Sequence, residues 1–232
     1  MFIYIYAFLV LGFLNSFKDI FIKHSLKNID SGVLAGFVSL FAFFLTLPFL
    51  YNEGLPKTFS PNFIWILVFG GVFYYSGKYF NFKSLSLGDI SLISPMKGLV
   101  TISTILTSFL LLGEKVSIIG GIGLFLIVAG TYLLAVEKGH KNIFDPIKAL
   151  WINPGSKMYL ICIIFYGFTV TIDRIGVLGS SVWFWTACMN LSVFLFSLPD
   201  IIKHRKVFFK NFKKIYISFF FICLLHFIVA TS

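Results

Sequence analysis

The sequence predicts an all-α fold, a polytopic transmembrane helix bundle with eight spans, and three observations carry that expectation. The 232 residues are 58% hydrophobic and only 12% charged, with a mean hydropathy of +0.94. Soluble domains carry about 25% charged residues, so a water-soluble enzyme, a disordered chain and a nucleic-acid-binding module are excluded as classes. Long stretches free of Asp, Glu, Lys and Arg recur along the chain, and the basic residues between them fall in alternate loops.

Eight such stretches are the predicted spans: Met1–Phe17, Ser31–Asn52, Thr58–Gly77, Gly98–Gly113, Val116–Val136, Met158–Ile172, Gly179–Pro199 and Ile215–Ser232. A helix needs about 20 mainly apolar residues to cross a bilayer, because its backbone groups find partners there only within the helix. The first stretch does not read as a cleaved signal peptide: no base precedes it, and Asn15, Lys18 and Asp19 follow without a small-residue cleavage pattern. Ile143–Trp151 is short and amphipathic, with Asp145 and Lys148 set against Ile147, Leu150 and Trp151, and reads as an interfacial connection.

A formal charge of +10 suggests a polyanionic partner until its distribution is read. Fifteen lysines and arginines fall between predicted helices 1 and 2, 3 and 4, 5 and 6, and 7 and 8, against Lys57, Lys115 and Arg174 in the other loops. The positive-inside rule puts the rich side, including the six bases from Lys203 to Lys214, in the cytoplasm and the N-terminus outside. The charge therefore reports orientation in a cell membrane, inner or plasma, and no nucleic-acid partner is expected.

Cys162, Cys188 and Cys223 all fall in predicted spans, where cysteine behaves as a small hydrophobe. No disulfide framework, structural metal or cofactor is called for. The 31 phenylalanines read as general apolar composition.

Shifting the chain on itself by 151 residues aligns helices 1–3 with helices 6–8: Phe17 falls on Phe168, Lys23 on Arg174, Leu40 on Leu191, Phe43 on Phe194, and Leu47-Pro48 on Leu198-Pro199. An odd number of helices, five, separates the repeat starts, so the second copy is inverted in the membrane. Inverted repeats are a construction of secondary transporters, which hold substrate near the midplane between the halves. The reading is of an incomplete form of a ten-helix, 5+5 carrier: a first repeat over 1–136, a connecting segment over 137–155, and an incomplete second repeat over 156–232.

Polar residues at helical spacing mark the candidate solute site. Lys97, Thr101, Thr104 and Ser108 lie on one stripe, with Pro95 just before them; an intramembrane lysine faces a bundle interior or snorkels, and hydroxyls also serve close packing. Helix 1 offers Gly12, Asn15, Asp19 and Lys23, and helix 6 Tyr159, Cys162, Tyr166, Thr169 and Asp173; Asn15 and Lys18 align with Tyr166 and Thr169. Candidate solute contacts are therefore Asn15, Lys18, Asp19, Lys97, Thr101, Thr104, Tyr166 and Thr169. Asp19 is the candidate proton-coupling carboxylate, since desolvation disfavours its charged form, against the alternative of a surface pair with Lys23; Asp173 and Arg174 carry the same ambiguity. His226 reads as a hydrogen-bonded structural histidine, with a titrating role the alternative, Tyr74, Tyr75, Trp183 and Trp185 as interfacial anchors or else cavity walls, and Ser117, Gly121, Gly123 and Gly130 as close-packing positions.

The run Ser84-Leu-Ser-Leu-Gly-Asp-Ile-Ser-Leu-Ile-Ser-Pro95, then Leu-Leu-Leu-Gly113-Glu114-Lys-Val-Ser117 and the glycine-rich segment Gly120–Leu134, resembles the EamA family of the drug/metabolite transporter superfamily. Pro95, Gly113, Glu114, Gly123 and Gly130 match the family's pattern. The resemblance covers residues 1–136 closely and 156–232 more loosely. It implies a ten-helix carrier of two inverted halves that moves small metabolites or drugs by alternating access, with the bilayer and a small solute as partners and a homo-oligomer left open. Two departures stand: the second copy of the proline and Gly-Glu block is absent, and relatives are drawn with both termini in the cytoplasm. A membrane scaffold without transport is the alternative reading. An intramembrane transferase is disfavoured because the acids and histidines form no HxxxH or DxxD pair.

The orientation is testable. A cysteine placed at Lys210 stays unlabelled by an impermeant maleimide applied to intact cells and reacts after permeabilisation; labelling from outside reverses the topology.

Overall fold

The computed structural model describes residues 2–135 and 151–231. Among them are eight helices and no strand: α1 (Phe2–Leu26), α2 (Ser31–Glu53), α3 (Phe63–Leu87), α4 (Ile90–Met96), α5 (Leu99–Leu112), α6 (Ile118–Ala135), α7 (Pro154–Leu178) and α8 (Val182–Thr231). Most of the interfacial segment expected over Ile143–Trp151 lies outside the described residues.

Local chemistry sets the boundaries. The Asp30 carboxylate accepts from the Gly32 amide at 2.8 Å to open α2, and Asn153 accepts from Ser156 at 3.2 Å ahead of Pro154 at the first turn of α7. Gly113 closes α5 at φ 67°, a left-handed position that suits glycine. The Ser117 hydroxyl then accepts from the Gly120 amide at 3.1 Å to start α6, as its sequence position suggests. Pro95 lies inside α4, and the helix breaks just beyond it at Lys97–Gly98, so α4 and α5 make one interrupted segment.

Five segments are long and apolar enough to cross a membrane: Ser31–Glu53, Phe63–Leu87, Ile90–Leu112, Pro154–Leu178 and Val182–Val229, with Ile118–Leu133 a shorter apolar helix. Ile118 and Phe125 of α6 are 85% and 70% exposed, a surface that hydrocarbon tolerates and water does not. The stretches expected as helices 7 and 8 run on as the single helix α8. That helix turns back on itself. Phe49 stacks on Trp183 at 4.5 Å and reaches Phe227 at 5.7 Å, although the two lie 44 residues apart and would be separated by about 66 Å in a straight helix. The first limb runs antiparallel to α2, bringing Asp200 to Gly32 and Ser197 to Gly36. The second runs antiparallel to α1, bringing Asn211 to the Asn28 carbonyl at 3.0 Å and Phe221 onto Phe21 at 5.2 Å.

The main core gathers Ile22, Leu34, Val38, Leu85, Ile93, Tyr159 and Ile222 from six helices, and a smaller cluster forms around Ile172, Trp185 and Met189. Close approach is made by small residues. A Cβ on Gly155 would lie 2.5 Å from the Gly88 Cα, and one on Gly176 would lie 2.3 Å from the Trp185 ring. The glycines expected to pack α6 do not: Gly121, Gly123 and Gly130 have no neighbouring atom within 4 Å of an added Cβ. That helix lies at the edge of the bundle, so its glycine face meets no second helix among the described residues.

Several charge and aromatic assignments also change. Lys18 and Lys78, counted with the loops, lie within α1 and α3, and Lys78 is only 2% exposed. Trp185, expected at the interface, is 2% exposed and donates its indole N–H to Asp173 at 2.9 Å. Because backbone opposes backbone at Gly88 and Gly155, Gly155→Val lowers stability by about 1–3 kcal/mol or more, read as a lower Tm in detergent.

Candidate functional site

A cavity of about 460 Å³ opens between α1, α3, the α4–α5 break, α7 and the second limb of α8. Each helix presents one face to it. On α1 these are Asn15, Lys18, Asp19 and Ile22; on α3, Tyr74, Lys78, Asn81 and Phe82; on α7, Tyr159, Tyr166, Thr169, Val170 and Asp173; on α8, Ile222, His226 and Val229. Within each helix the spacings of three, four and seven select a single stripe.

The interruption between α4 and α5 aims the Lys97 ammonium at α1, where it donates to the Asp19 carboxylate. Asp19 is 1% exposed and Lys97 30%, so a buried acid is held by a base at the cavity rim. The alternative pairing with Lys23 is not made. Lys23 instead reaches the Gly88 carbonyl at 2.8 Å and Asp89 at 3.4 Å, at the end of the bundle where α3 meets α4. Arg174 pairs with Glu114 at 2.5 Å at the opposite end, separately from Asp173.

Six of the eight expected contacts line the cavity: Asn15, Lys18, Asp19, Lys97, Tyr166 and Thr169. Thr101 and Thr104 do not; Thr101 is exposed, and the Thr104 hydroxyl bonds back to the Val100 carbonyl at 3.0 Å. The α5 hydroxyl that matters for packing is Thr107, which donates to the Gly167 carbonyl of α7 and meets the Thr171 hydroxyl, both at 2.8 Å.

On the α3 face the sequence offers Tyr74 as an alternative cavity wall, and Lys78 and Asn81 went unread. Lys78 donates to the Ser39 hydroxyl at 2.7 Å, lies 3.0 Å from His226 Nε2, and sits 5.0 Å from the centre of the Tyr74 ring. Tyr74, Lys78 and Asn81 recur at i, i+4 and i+7, a stripe obscured when the helix is ended at its first charge. His226, read as structural, lies on the cavity wall. Two acceptors on cavity-lining residues, Asp19 Oδ1 and Asn81 Oδ1, are buried and without a hydrogen-bond partner. The site offers cations, hydroxyls and free acceptors in an aromatic and aliphatic frame, which suits binding of a polar solute. Away from it, Asp30, Asp200 and His204 cluster near the turn of α8, with Tyr75 donating to Asp200.

The Asp19–Lys97 coupling is measurable. Asp19→Asn and Lys97→Met each destabilise the protein, while the double variant recovers part of the loss, with a coupling of about 1–3 kcal/mol in a double-mutant cycle.

No curated protein matches the chain. The family model described as the EamA-like transporter family matches residues 2–136, from α1 through α6, and the chain thus belongs to the EamA-like transporter family.

Proposed function

We propose that the protein is a secondary transporter that carries a small metabolite or drug through the cavity by alternating access, with Asn15, Lys18, Asp19, Lys97, Tyr166 and Thr169 contacting the solute and Asp19 as the proton-coupling group. The observation that carries this reading is the symmetry of the cavity wall. At the 151-residue offset, Asn15, Lys18, Asp19, Ile22 and Lys78 correspond to Tyr166, Thr169, Val170, Asp173 and Val229, and all ten positions line the cavity.

Contacts between helices support the same two-fold relation. Exchanging the halves converts Gly32 against Asp200 into Trp183 against Phe49, and Phe21 against Phe221 into Ile172 against Gly70; each is a close contact. Such pairs follow if residues 1–136 and 156–232 are two copies in opposite orientation, joined through 137–155, with eight spans in the chain. Lys23 and Arg174 align in the repeat and hold acids at opposite ends of the bundle, at Asp89 and Glu114. In alternating access these two pairs open in turn. Asp19 suits proton coupling because one of its oxygens binds Lys97 while the other is unpartnered.

Counterflow in proteoliposomes made with the full chain tests the proposal: accumulation of one solute above the empty-vesicle control supports it, and no flux from any member of a broad metabolite panel overturns it in favour of the scaffold. In addition, Thr169→Trp fills the cavity and reduces flux at least tenfold while the protein still elutes as a single species.

A further inference from the structure

The cavity is lined by more basic side chains than acidic ones. Lys18, Lys78 and Lys97 line it together with Asp19 and Asp173. The Asp19 carboxylate is engaged by Lys97, and Asp173 accepts from the Trp185 indole. Lys18 and Lys78 are left. Among the described residues no carboxylate lies within ion-pairing distance of either, although Asp19, next to Lys18 in the chain, is near enough to act on it.

Lys78 makes the stronger case, being 2% exposed in the middle of a spanning helix. Its partners are the Ser39 hydroxyl and His226 Nε2, at 2.7 and 3.0 Å. When protonated, Lys78 donates and cannot accept, and Nε2 then accepts with the imidazole proton on Nδ1. Both partners are therefore neutral, and the Tyr74 ring adds only the negative face of its quadrupole. They solvate the cation without cancelling it. A buried charge without a counter-ion is costly in a low-dielectric interior and marks ion or substrate pathways. Here a counter-ion delivered by the solute answers the cost.

We propose that the transported solute is a small organic anion, its carboxylate or phosphate group bound between the ammonium groups of Lys78 and Lys18. The proposal rests on the carrier reading for transport, but anion binding stands or falls separately. A cation meets two like charges at this position, and a neutral solute leaves them uncompensated. Binding energy thus comes from the charge the apo protein leaves unpaired, which links substrate selection to a local instability of the empty cavity.

The test pairs stability with transport on the purified full chain. Lactate, succinate and inorganic phosphate are compared with choline, putrescine and glycerol, first as thermal-shift ligands and then in proteoliposome counterflow. At least one anion raises the Tm of the wild-type protein, and the cations and glycerol do not. Lys78→Met is expected to have an apo Tm at or above that of the wild type and to need at least tenfold more anion for half-maximal shift. Lys78→Arg retains part of the shift, and Lys203→Met, on the exposed side of α8, behaves as wild type. A lowered apo Tm in Lys78→Met with an unchanged anion response makes Lys78 structural and overturns the proposal. Selective stabilisation and flux of choline, putrescine or glycerol overturn it while leaving the carrier reading intact. Anion stabilisation that depends on Lys78 without counterflow of any solute supports the anion site and removes the carrier reading, and a response to no ligand in either assay removes both.

Discussion

A hydrocarbon surrounding supplies no hydrogen-bond partners, so most polar groups inside this bundle bind another part of the chain or line the cavity. Helices satisfy the backbone, and the segments between charged residues are long enough for that. What remains is the side-chain polarity inside the bundle: Asp19, Lys78, Asn81, Thr107, Thr169, Thr171, Asn190 and His226, drawn from most of the helices. Outer faces carry Phe, Ile and Leu because lipid asks nothing more of them. Since lipid and core are equally apolar, the hydrophobic effect does not press the helices together as it does in water. Association rests on close packing and on the polar contacts inside.

Small residues provide that packing where two helices run side by side. Gly32 and Gly36 let α2 approach the first limb of α8, Gly77 receives Tyr166, and Gly88 faces Gly155 backbone to backbone. The cavity lies where the helices diverge, and Lys97 at the α4–α5 break lines one side of it. The proline and glycine at that break interrupt the backbone at the point where Lys97 crosses to Asp19. Irregular backbone at membrane depth is tolerated where it lines a cavity, and this break does so.

How much was legible depended on whether a signal is local. Gly113 and Ser117 end and start helices through bonds to residues three or four positions away, a role short sequence patterns carry, while the Asp30 and Asn153 caps emerged only in the structure. Lys97 and Asp19 stood out as ionisable groups in apolar stretches, and their union across 78 residues is the kind of contact no local pattern contains. Lys78 was hidden by a simple bias: ending a span at the first charge places that charge in a loop, although α3 continues for nine residues beyond it. Trp185 and the α6 glycines failed for a related reason. Tryptophan suits both an interface and a polar partner in the core, and a glycine stripe packs only if another helix is opposite.

The sequence by itself determined an all-helical membrane chain, the ends of α2, α5 and α6 to within two residues, and the family pattern from Pro95 to Gly130, because each depends on composition, periodicity or turn chemistry along the chain. Tertiary structure alone decided which polar faces converge. It turned α8 back on α2, joined Asp19 to Lys97 instead of Lys23, and set Lys78 beside His226 in a shared cavity. Helix rotation and neighbour choice are settled by packing among segments distant in sequence, whose polar groups have only one another to bind.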